Sequence, residues 1–221
     1  MPDSPPRPRI RDGVRIAIPL APSPILFGLA FGVLAADASG FGSLAAVVMS
    51  ATTFSGAGQF ASVSVLDAGG TVVAASLAGI FLSARYIAIS MTIASIFPGG
   101  RLRRFAESQV IVDESWALSG RSGRFEWPIL VGSGAFFYVL WVVSTAIGTV
   151  LGGVLGNPNA LGLDAAFAAL FLALAVPYLR DRRGVQAAAL AAAITLALVP
   201  VAPAGVPIVA ASAACLVGLR R

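Results

Sequence analysis

Long, uninterrupted apolar stretches constrain this chain more than any other feature of its sequence. About twenty apolar residues in a helix cross the hydrocarbon layer of a membrane, whereas barrel strands alternate in polarity over about ten residues. Charged residues make up 11% of the chain, less than half of the ~25% that is usual for soluble domains. The sequence therefore predicts an all-α membrane protein. Its apolar segments are 16–36, 44–66, 72–96, 129–149, 163–179, 185–201 and 206–219.

The arginines indicate on which side of the membrane the connections lie. The basic residues are all Arg, and apart from Arg85 they cluster before residue 16, at the end of the chain, and in the connections 97–128 and 180–183. Cytoplasmic connections retain positive charge, so all four clusters are expected in the cytoplasm. An even number of crossings must then separate residue 15 from residue 101. Three apolar segments lie between them, so one of the three is not a simple crossing.

The segment 44–66 is the best candidate for the exception because it is the most polar and the most broken. We predict a polytopic bundle of six full crossings with a discontinuous or re-entrant element at 44–66, and with both termini cytoplasmic. Seven plain crossings, with 97–128 outside despite its arginines, are the alternative. Residues 1–15 are Pro- and Arg-rich and are predicted to be a disordered cytoplasmic tail, followed by a single transmembrane transport domain at 16–221.

Composition also limits the chemistry that this chain can perform. It has no His and one cysteine, Cys215, which lies in an apolar run. These residues exclude His-based triads, most zinc sites and an intramolecular disulfide. The sequence has no phosphate-binding loop and no basic patch interleaved with aromatic residues. We therefore expect a non-enzymatic protein with no cofactor, no bound metal and no nucleic-acid partner, which lies in a lipid bilayer.

The stretch 54–60 is the most informative part of the sequence. It places two glycines and polar side chains within an apolar segment, and irregular backbone at membrane depth is tolerated only inside protein or along a water-filled cavity. The free N–H groups of a broken helix can bind a substrate carboxylate. Close helix packing at the glycines is the alternative. The predicted substrate-binding residues here are Thr53, Ser55, Gly56, Gly58 and Gln59.

Arg85 is the other candidate substrate ligand. It lies near the middle of segment 72–96, where an isolated charge costs at least about 2.5 kcal/mol, so it must face protein or water. It can pair with a substrate carboxylate or with a buried acid. In a chain without His, a proton carrier would be an acid, and the candidates are Asp113, Glu114 and Asp164, with Asp67 also considered. Segment 103–119 has the pattern of an amphipathic helix at the membrane interface.

The first apolar segment has two features of its own. Pro19, Pro22 and Pro24 predict kinks, because proline removes helix hydrogen bonds. Gly28 and Gly32 lie four residues apart and form a small-residue face, which predicts close contact with another helix.

Taken together, these landmarks resemble the AzlC family, the large subunits of bacterial branched-chain amino-acid exporters. The resemblance begins near Gly13 and extends to the end of the chain. Two departures stand beside Arg85, where the family often has Asn before and His after the arginine. This chain has Ser83, Ala84 and Tyr86 at those positions. The residues that carry the resemblance are Gly13, Pro19, Gly28, Gly32, Ser50, 55–60, Arg85, Asp113, Glu114, Gly162, Leu163, Asp164 and Phe167.

The resemblance implies a function that composition alone does not provide. It implies a secondary transporter subunit that exports Leu, Ile, Val or similar small apolar amino acids across the bacterial cytoplasmic membrane. It also implies a second, smaller membrane subunit of the AzlD type. Coupling to the proton gradient is the expected drive. A non-transporting scaffold subunit, or a transporter of another small solute, remains the alternative.

Overall fold

The computed structural model describes residues 8–38, 41–121, 124–155, 172, 176–180, 182–202 and 206–219. These residues are almost entirely helical, apart from a two-residue antiparallel pair, β1 (Gly120–Arg121) and β2 (Arg124–Phe125). The helices are α1 (Ile10–Ala17), α2 (Pro22–Asp37), α3 (Gly42–Thr53), α4 (Gly56–Asp67), α5 (Val72–Ser83), α6 (Arg85–Ile93), α7 (Arg101–Ser108), α8 (Asp113–Ser119), α9 (Trp127–Leu155), α10 (Arg182–Leu198) and α11 (Val206–Ala211). Short 3₁₀ segments cover Ile18–Leu20, Ala94–Ile96, Val176–Arg180 and Ser212–Leu219.

Three of the helical stretches have the length and composition of membrane spans. Within the described residues, one straight helix, Trp127–Gly152, is long and apolar enough to cross a bilayer. Ile10–Leu20 with Pro22–Ala36, bent by 69°, and Val72–Ser83 with Arg85–Ile96, bent by 40°, each qualify as one broken span. The first bend lies among the prolines that predicted it. The second bend, at Ala84, was not predicted from the sequence.

The first span packs along α9 through glycines, as the spacing of Gly28 and Gly32 predicted. A Cβ atom at Gly28 would lie 2.9 Å from Ser144 Cβ, and one at Gly32 would lie 2.9 Å from Gly148 Cα. Such contacts are too close for any side chain, so glycine lets the two backbones meet. Gly13 likewise lies against the start of α9. Residues later in the first span contact residues later in α9, so the first span runs parallel to α9.

The path of residues 42–67 can be traced from the positions along α9 that each part of the segment contacts. The end of α2 contacts α9 at Gly152. From that level α3 runs toward the middle of α9, where Ser50 Oγ lies 3.0 Å from Thr145 Oγ1. Helices α4 and α5 are antiparallel, since Gly58 lies against Gly79 whereas Ser62, later in α4, donates from its Oγ to the carbonyl of Ala75, earlier in α5, at 2.9 Å.

The next span continues from α5 through α6 to the other end of α9, where Ile93 packs with Leu130. Because α5 descends toward the midpoint of α9, its antiparallel neighbour α4 must climb back to the level at which α3 began. Residues 42–67 therefore enter and leave from the same side, which agrees with the predicted re-entrant element.

The first span then crosses once and α5–α6 crosses back, so α1 and the 97–126 connection share the Trp127 end of α9. The described arginines before residue 16 (Arg9, Arg11 and Arg15) thus share one side with those of the 97–126 connection, as the positive-inside rule requires.

The outer faces of these helices are apolar, as a lipid environment requires. Large apolar side chains are widely exposed on them, which a soluble surface would not tolerate. Examples are Leu44 (78%), Val72 (73%), Ile87 (66%), Met91 (72%) and Val150 (68%). The prediction of a helical membrane bundle is confirmed, whereas the count of six to seven crossings stays a prediction.

Two predictions differ from the structure. Residues 10–15 belong to helix α1 rather than to a disordered tail, and Asp12 stabilises its first turn by accepting a 2.8 Å hydrogen bond from the backbone N–H of Arg9. The predicted single helix at 103–119 is two helices, α7 and α8, separated by a turn at 109–112. Segment 163–179 lies largely outside the described residues.

Candidate functional site

A cavity lies halfway along α9, where the bends and breaks of the other spans converge. The volume open to the centres of water molecules is about 90 Å³, which is room for several waters. Its walls are mainly apolar and rich in aromatic rings, its charged groups come from the start of α6 and the start of α8, and α2 adds the hydroxyl-bearing Ser23. The lining residues are Ser23, Pro24, Phe27, Phe54, Gly56, Ala57, Phe60, Arg85, Tyr86, Val112, Asp113, Glu114, Phe137 and Trp141.

The break between α3 and α4 forms one wall of this cavity. Phe54 adopts a left-handed conformation with φ of 38°, which is uncommon for a residue with a side chain. Its ring packs edge-on to Tyr138 at a centroid distance of 5.2 Å. Ser55 then starts α4 without a side-chain cap. The first N–H groups of a helix lack intrahelical acceptors, and Gly56 and Ala57, at that end, line the cavity.

Gln59 bridges the break on the side away from the cavity. Its Oε1 accepts from the backbone N–H of Ser55 at 3.3 Å, and its Nε2 donates to Ser50 Oγ at 3.0 Å. Ser50 Oγ also accepts from Trp141 Nε1 at 3.2 Å. With both lone pairs used, the Ser50 hydroxyl donates to Thr145. Gln59 is fully buried, so its amide stabilises the broken backbone and does not face the cavity.

Two glycines of the break are needed for close contacts. A Cβ atom at Gly56 would lie 3.0 Å from the Trp141 ring. A Cβ atom at Gly58 would lie 2.5 Å from Ser83 Oγ and 2.9 Å from the carbonyl oxygen of Gly79. Gly58 therefore lets α4 meet α5, which is the packing role that the sequence left open. Beside it, Ser55 Oγ lies 2.7 Å from Ser83 Oγ, so the break at 54–55 directly contacts the bend at 84.

Arg85 begins α6 at that bend and faces the cavity. Its Nη2 lies 2.8 Å from Asp113 Oδ2, and its Nε lies 3.0 Å from the same oxygen. Its Nη1 donates to the carbonyl of Leu82 at 3.2 Å. The guanidinium also lies over the ring of Tyr86, 5.1 Å from the centroid. A charge inside a span is therefore balanced by an acid from a connection between spans.

The connection reaches the cavity because it folds back along α9. Gly134 allows this, since a Cβ there would collide with the carbonyl of Val110. Gly134 lies seven residues after Trp127, about 10 Å along the helix axis. Ser115 holds the turn by accepting a hydrogen bond from the Val112 N–H at 3.0 Å. Asp113 and Glu114 are thereby carried inward from the arginine-rich end.

Glu114 has an unusual electrostatic environment for a carboxylate. Glu114 is an exposed residue, but part of its surface lines the cavity, where surrounding protein replaces much of the water. This desolvation raises the pKa of Glu114, and repulsion from Asp113 raises it further. Its own backbone N–H and the Arg85 guanidinium act in the opposite direction. The net pKa is raised, so this carboxyl holds a proton at higher pH than an ordinary glutamate.

The predicted site residues fall into separate groups. Gly56, Arg85, Asp113 and Glu114 line the cavity together. Ser55, Gly58 and Gln59 lie behind that wall, and Thr53 is on the exposed surface of α3, beside a second groove that Gly58 also lines. Asp164 lies outside the described residues. As substrate ligands and proton carriers, all of these residues remain predictions.

Sequence reasoning missed two important parts of the site. Trp141 and Phe137 form a wall of the cavity, but in the sequence they are ordinary members of an apolar span. Ser83 was named only as a departure from the family pattern, and its contact with Ser55 needs the fold. A polar residue two positions before a charged one inside a span was the signal available for Ser83.

Comparisons with known proteins agree with this architecture. A family model described as AzlC protein matches residues 19–155, more than half of the chain. A membrane protein of Archaeoglobus fulgidus, itself uncharacterised, is 32% identical over 192 residues, which cover 85% of this chain and 83% of the relative. No solved structure matches significantly. The matched range includes the re-entrant element, Arg85, the acidic pair and α9. The chain belongs to the AzlC protein family.

Proposed function

We propose that this chain is the substrate-binding subunit of a secondary transporter that exports branched-chain or similar small apolar amino acids. The observation that supports this is the mixture of charges in one cavity. A guanidinium, two carboxyl groups and an uncapped helix N-terminus face a mainly apolar wall that is rich in aromatic rings. An amino acid at neutral pH has the complementary parts, which are a carboxylate, an ammonium and a side chain.

The substrate carboxylate would lie near the N-terminus of α4 and Arg85. Bonds to Asp113 and Leu82 involve all three guanidinium nitrogens of Arg85 but only three of its five N–H groups, so two N–H groups remain to donate. The helix N-terminus also favours negative charge. The substrate ammonium would lie near Asp113 and Glu114. A short aliphatic side chain would then contact Phe54, Phe60 and Trp141, and the small volume favours small residues.

Glu114 is the proposed proton carrier. Within the described part of the cavity wall, the segments from α2, α4 and α9 contribute no charged side chain. The charged groups that act on the pKa of Glu114 are therefore Asp113 on its own helix and Arg85 on α6. Because desolvation raises its pKa, Glu114 can gain and lose a proton as the cavity gains and loses water. Bound substrate ammonium would favour the ionised form, which links the proton to the substrate.

The remaining parts of the proposal follow the family resemblance. The protein would lie in the bacterial cytoplasmic membrane with its N-terminus in the cytoplasm, because arginines share the Trp127 end of α9. It would work with a small membrane subunit of the AzlD type.

The test is uptake of labelled valine into inverted membrane vesicles, where export appears as uptake. The wild-type chain would be expressed alone, with the small subunit, and with that subunit as the Arg85→Gln and Glu114→Gln variants. Thr52→Val is the matched control, since Thr52 is exposed and its hydroxyl bonds only within α3, to the Val48 carbonyl. Substrate exchange without a gradient would be measured in parallel.

The proposal predicts a separate result for each variant. Arg85→Gln should lose both uptake and exchange, because the substrate carboxylate loses its cation. Glu114→Gln should keep exchange but lose uptake driven by the proton gradient. Thr52→Val should match wild type. If inserted wild-type chain and partner move no small amino acid, the transport proposal is wrong, and a scaffold role or another solute takes its place.

A further inference from the structure

Helix α7 has three distinct faces, and only one of them packs against the protein. Arg103 Nε lies 2.6 Å from Glu107 Oε1, and Glu107 Oε2 accepts from Trp127 Nε1 at 2.8 Å. The Arg103 guanidinium also lies 5.2 Å from the centre of the Trp127 ring. This docking face fixes α7 to the first residue of α9, which is the start of a membrane span.

A second face of α7 is apolar and uncovered. Leu102 is 82% exposed and Phe105 is 66% exposed, and Ala106 beside them is exposed as well. At 3.6 residues per turn, these three side chains fall within about 100° of one another on the helix. The docking face holds α7 in place, so this apolar face cannot turn inward. The described part of this chain does not cover it.

The third face is basic and adjoins the apolar one. Arg101 and Arg104 are exposed and form no ion pair within the described residues, in contrast to Arg103. Arg101 precedes Phe105 by one helical turn, so its charge borders the apolar face. An apolar face flanked by free arginines is the pattern of a helix that lies in the membrane interface.

The position of α7 in the fold agrees with this pattern. It begins five residues after Ile96, the end of the second broken span, and is tied to Trp127, where α9 begins. Tryptophan is enriched at membrane interfaces. The same end of α9 lies beside α1 and its arginines, and the cytoplasmic leaflet on that side carries the anionic lipids.

We infer that α7 is a binding surface for anionic phospholipid, with Arg101 and Arg104 on the headgroups and Leu102 and Phe105 among the upper acyl chains. This inference is independent of transport. Electrostatic attraction selects anionic over zwitterionic lipid, and the apolar face keeps the helix in the interface. A lipid rather than a protein is indicated because both faces lie at the level where two spans end.

The test measures lipid contact directly. A single cysteine would be placed at Ala106, on the apolar face, in full-length chain carrying Cys215→Ser, and labelled with an environment-sensitive fluorophore. The protein would be reconstituted in phosphatidylcholine vesicles that contain a trace of nitroxide-labelled lipid, either phosphatidylglycerol or phosphatidylcholine. A label at Ser108, on the basic face, is the matched control site.

The expected result is stronger quenching at position 106 by the nitroxide phosphatidylglycerol than by the phosphatidylcholine, with less quenching at position 108. The preference should fall about fivefold for each arginine removed in Arg101→Gln and Arg104→Gln, which is the factor for ~1 kcal/mol per basic residue at an anionic surface. High salt should lower it too. Arg124→Gln, on the neighbouring hairpin, should leave it unchanged.

Two outcomes would overturn the inference. Equal quenching by the two lipids, unaffected by salt or by the arginine variants, would exclude selection of anionic lipid. A label at position 106 that neither lipid quenches would exclude lipid contact altogether. In that case an aqueous quencher tells whether the face lies in water or is covered by protein.

Discussion

Arg85 Nη2 lies 2.8 Å from Asp113 Oδ2, and this ion pair joins a bend inside a membrane span to the first residue of a helix in the connection. Both side chains line the same cavity. Asp113 therefore neutralises the Arg85 cation within the span. The pair also holds α8 at the depth where Glu114 lines the cavity. A change at either residue should be felt at the other.

The first prediction concerns that ion pair. Arg85→Gln and Asp113→Asn should each lower the thermal unfolding midpoint, because each leaves one charge without its partner. The double variant should be more stable than the sum of the two losses predicts, with a coupling energy of about 0.5–3 kcal/mol. Thermal unfolding of the four proteins in the same detergent gives the cycle. Strictly additive losses would mean that the two charges are stabilised independently.

The second prediction concerns the pH dependence of stability at Glu114. Its raised pKa means that the folded protein binds this proton more tightly than the unfolded chain. The resulting stabilisation is present below the ordinary value of 4.5 and is lost as the pH rises through the folded pKa. Glu114→Gln should therefore unfold at a higher temperature than wild type at neutral pH, and the difference should vanish toward pH 4.5.

The control for this experiment is Glu107→Gln, whose carboxylate bonds Arg103 and Trp127 outside the cavity. It loses favourable contacts, so it should be less stable than wild type at neutral pH. A Glu114→Gln variant that is destabilised in the same way would contradict the assignment of a desolvated, proton-binding carboxyl.

The third prediction concerns the close contact between α4 and α5 at Gly58. Gly58→Ala should destabilise the protein by about 1–3 kcal/mol, the usual cost of overpacking a close contact. Gly100→Ala is the comparison, since a Cβ there meets nothing within 4 Å and its φ of −81° suits any residue. Thermal unfolding should separate the two variants clearly. Similar stability of both would show that α4 and α5 can separate without loss.

The fourth prediction separates a structural from a substrate role for Gln59. Because its amide bonds Ser55 and Ser50, Gln59→Leu should cost about 1–3 kcal/mol of stability by leaving a buried N–H unsatisfied. Ser50→Ala should act on the same network, so the two losses should not add. Substrate affinity of correctly folded Gln59→Leu should change far less than that of Arg85→Gln. An equal loss of affinity in both variants would make Gln59 a substrate ligand.

Several features of this protein follow from the sequence alone, because each depends on residue type within a local stretch. The apolar segments determined a helical membrane bundle, since backbone polar groups must be satisfied inside lipid. Glycines among polar residues at 54–60 marked a broken helix, and the arginine clusters required an element that does not cross. The family resemblance rests on the order of these same landmarks.

Only the tertiary structure decided which of the candidate residues share a cavity. Gly56, Arg85 and Glu114 are far apart in sequence. They meet because the break between α3 and α4, the bend between α5 and α6 and the turn before α8 all lie at the same level along α9. Gln59 looked the same as these in sequence, yet packing turned it toward Ser50 and away from the cavity. A residue type states what a side chain can bind, but its direction is set by long-range contacts between helices, and no local pattern encodes those contacts.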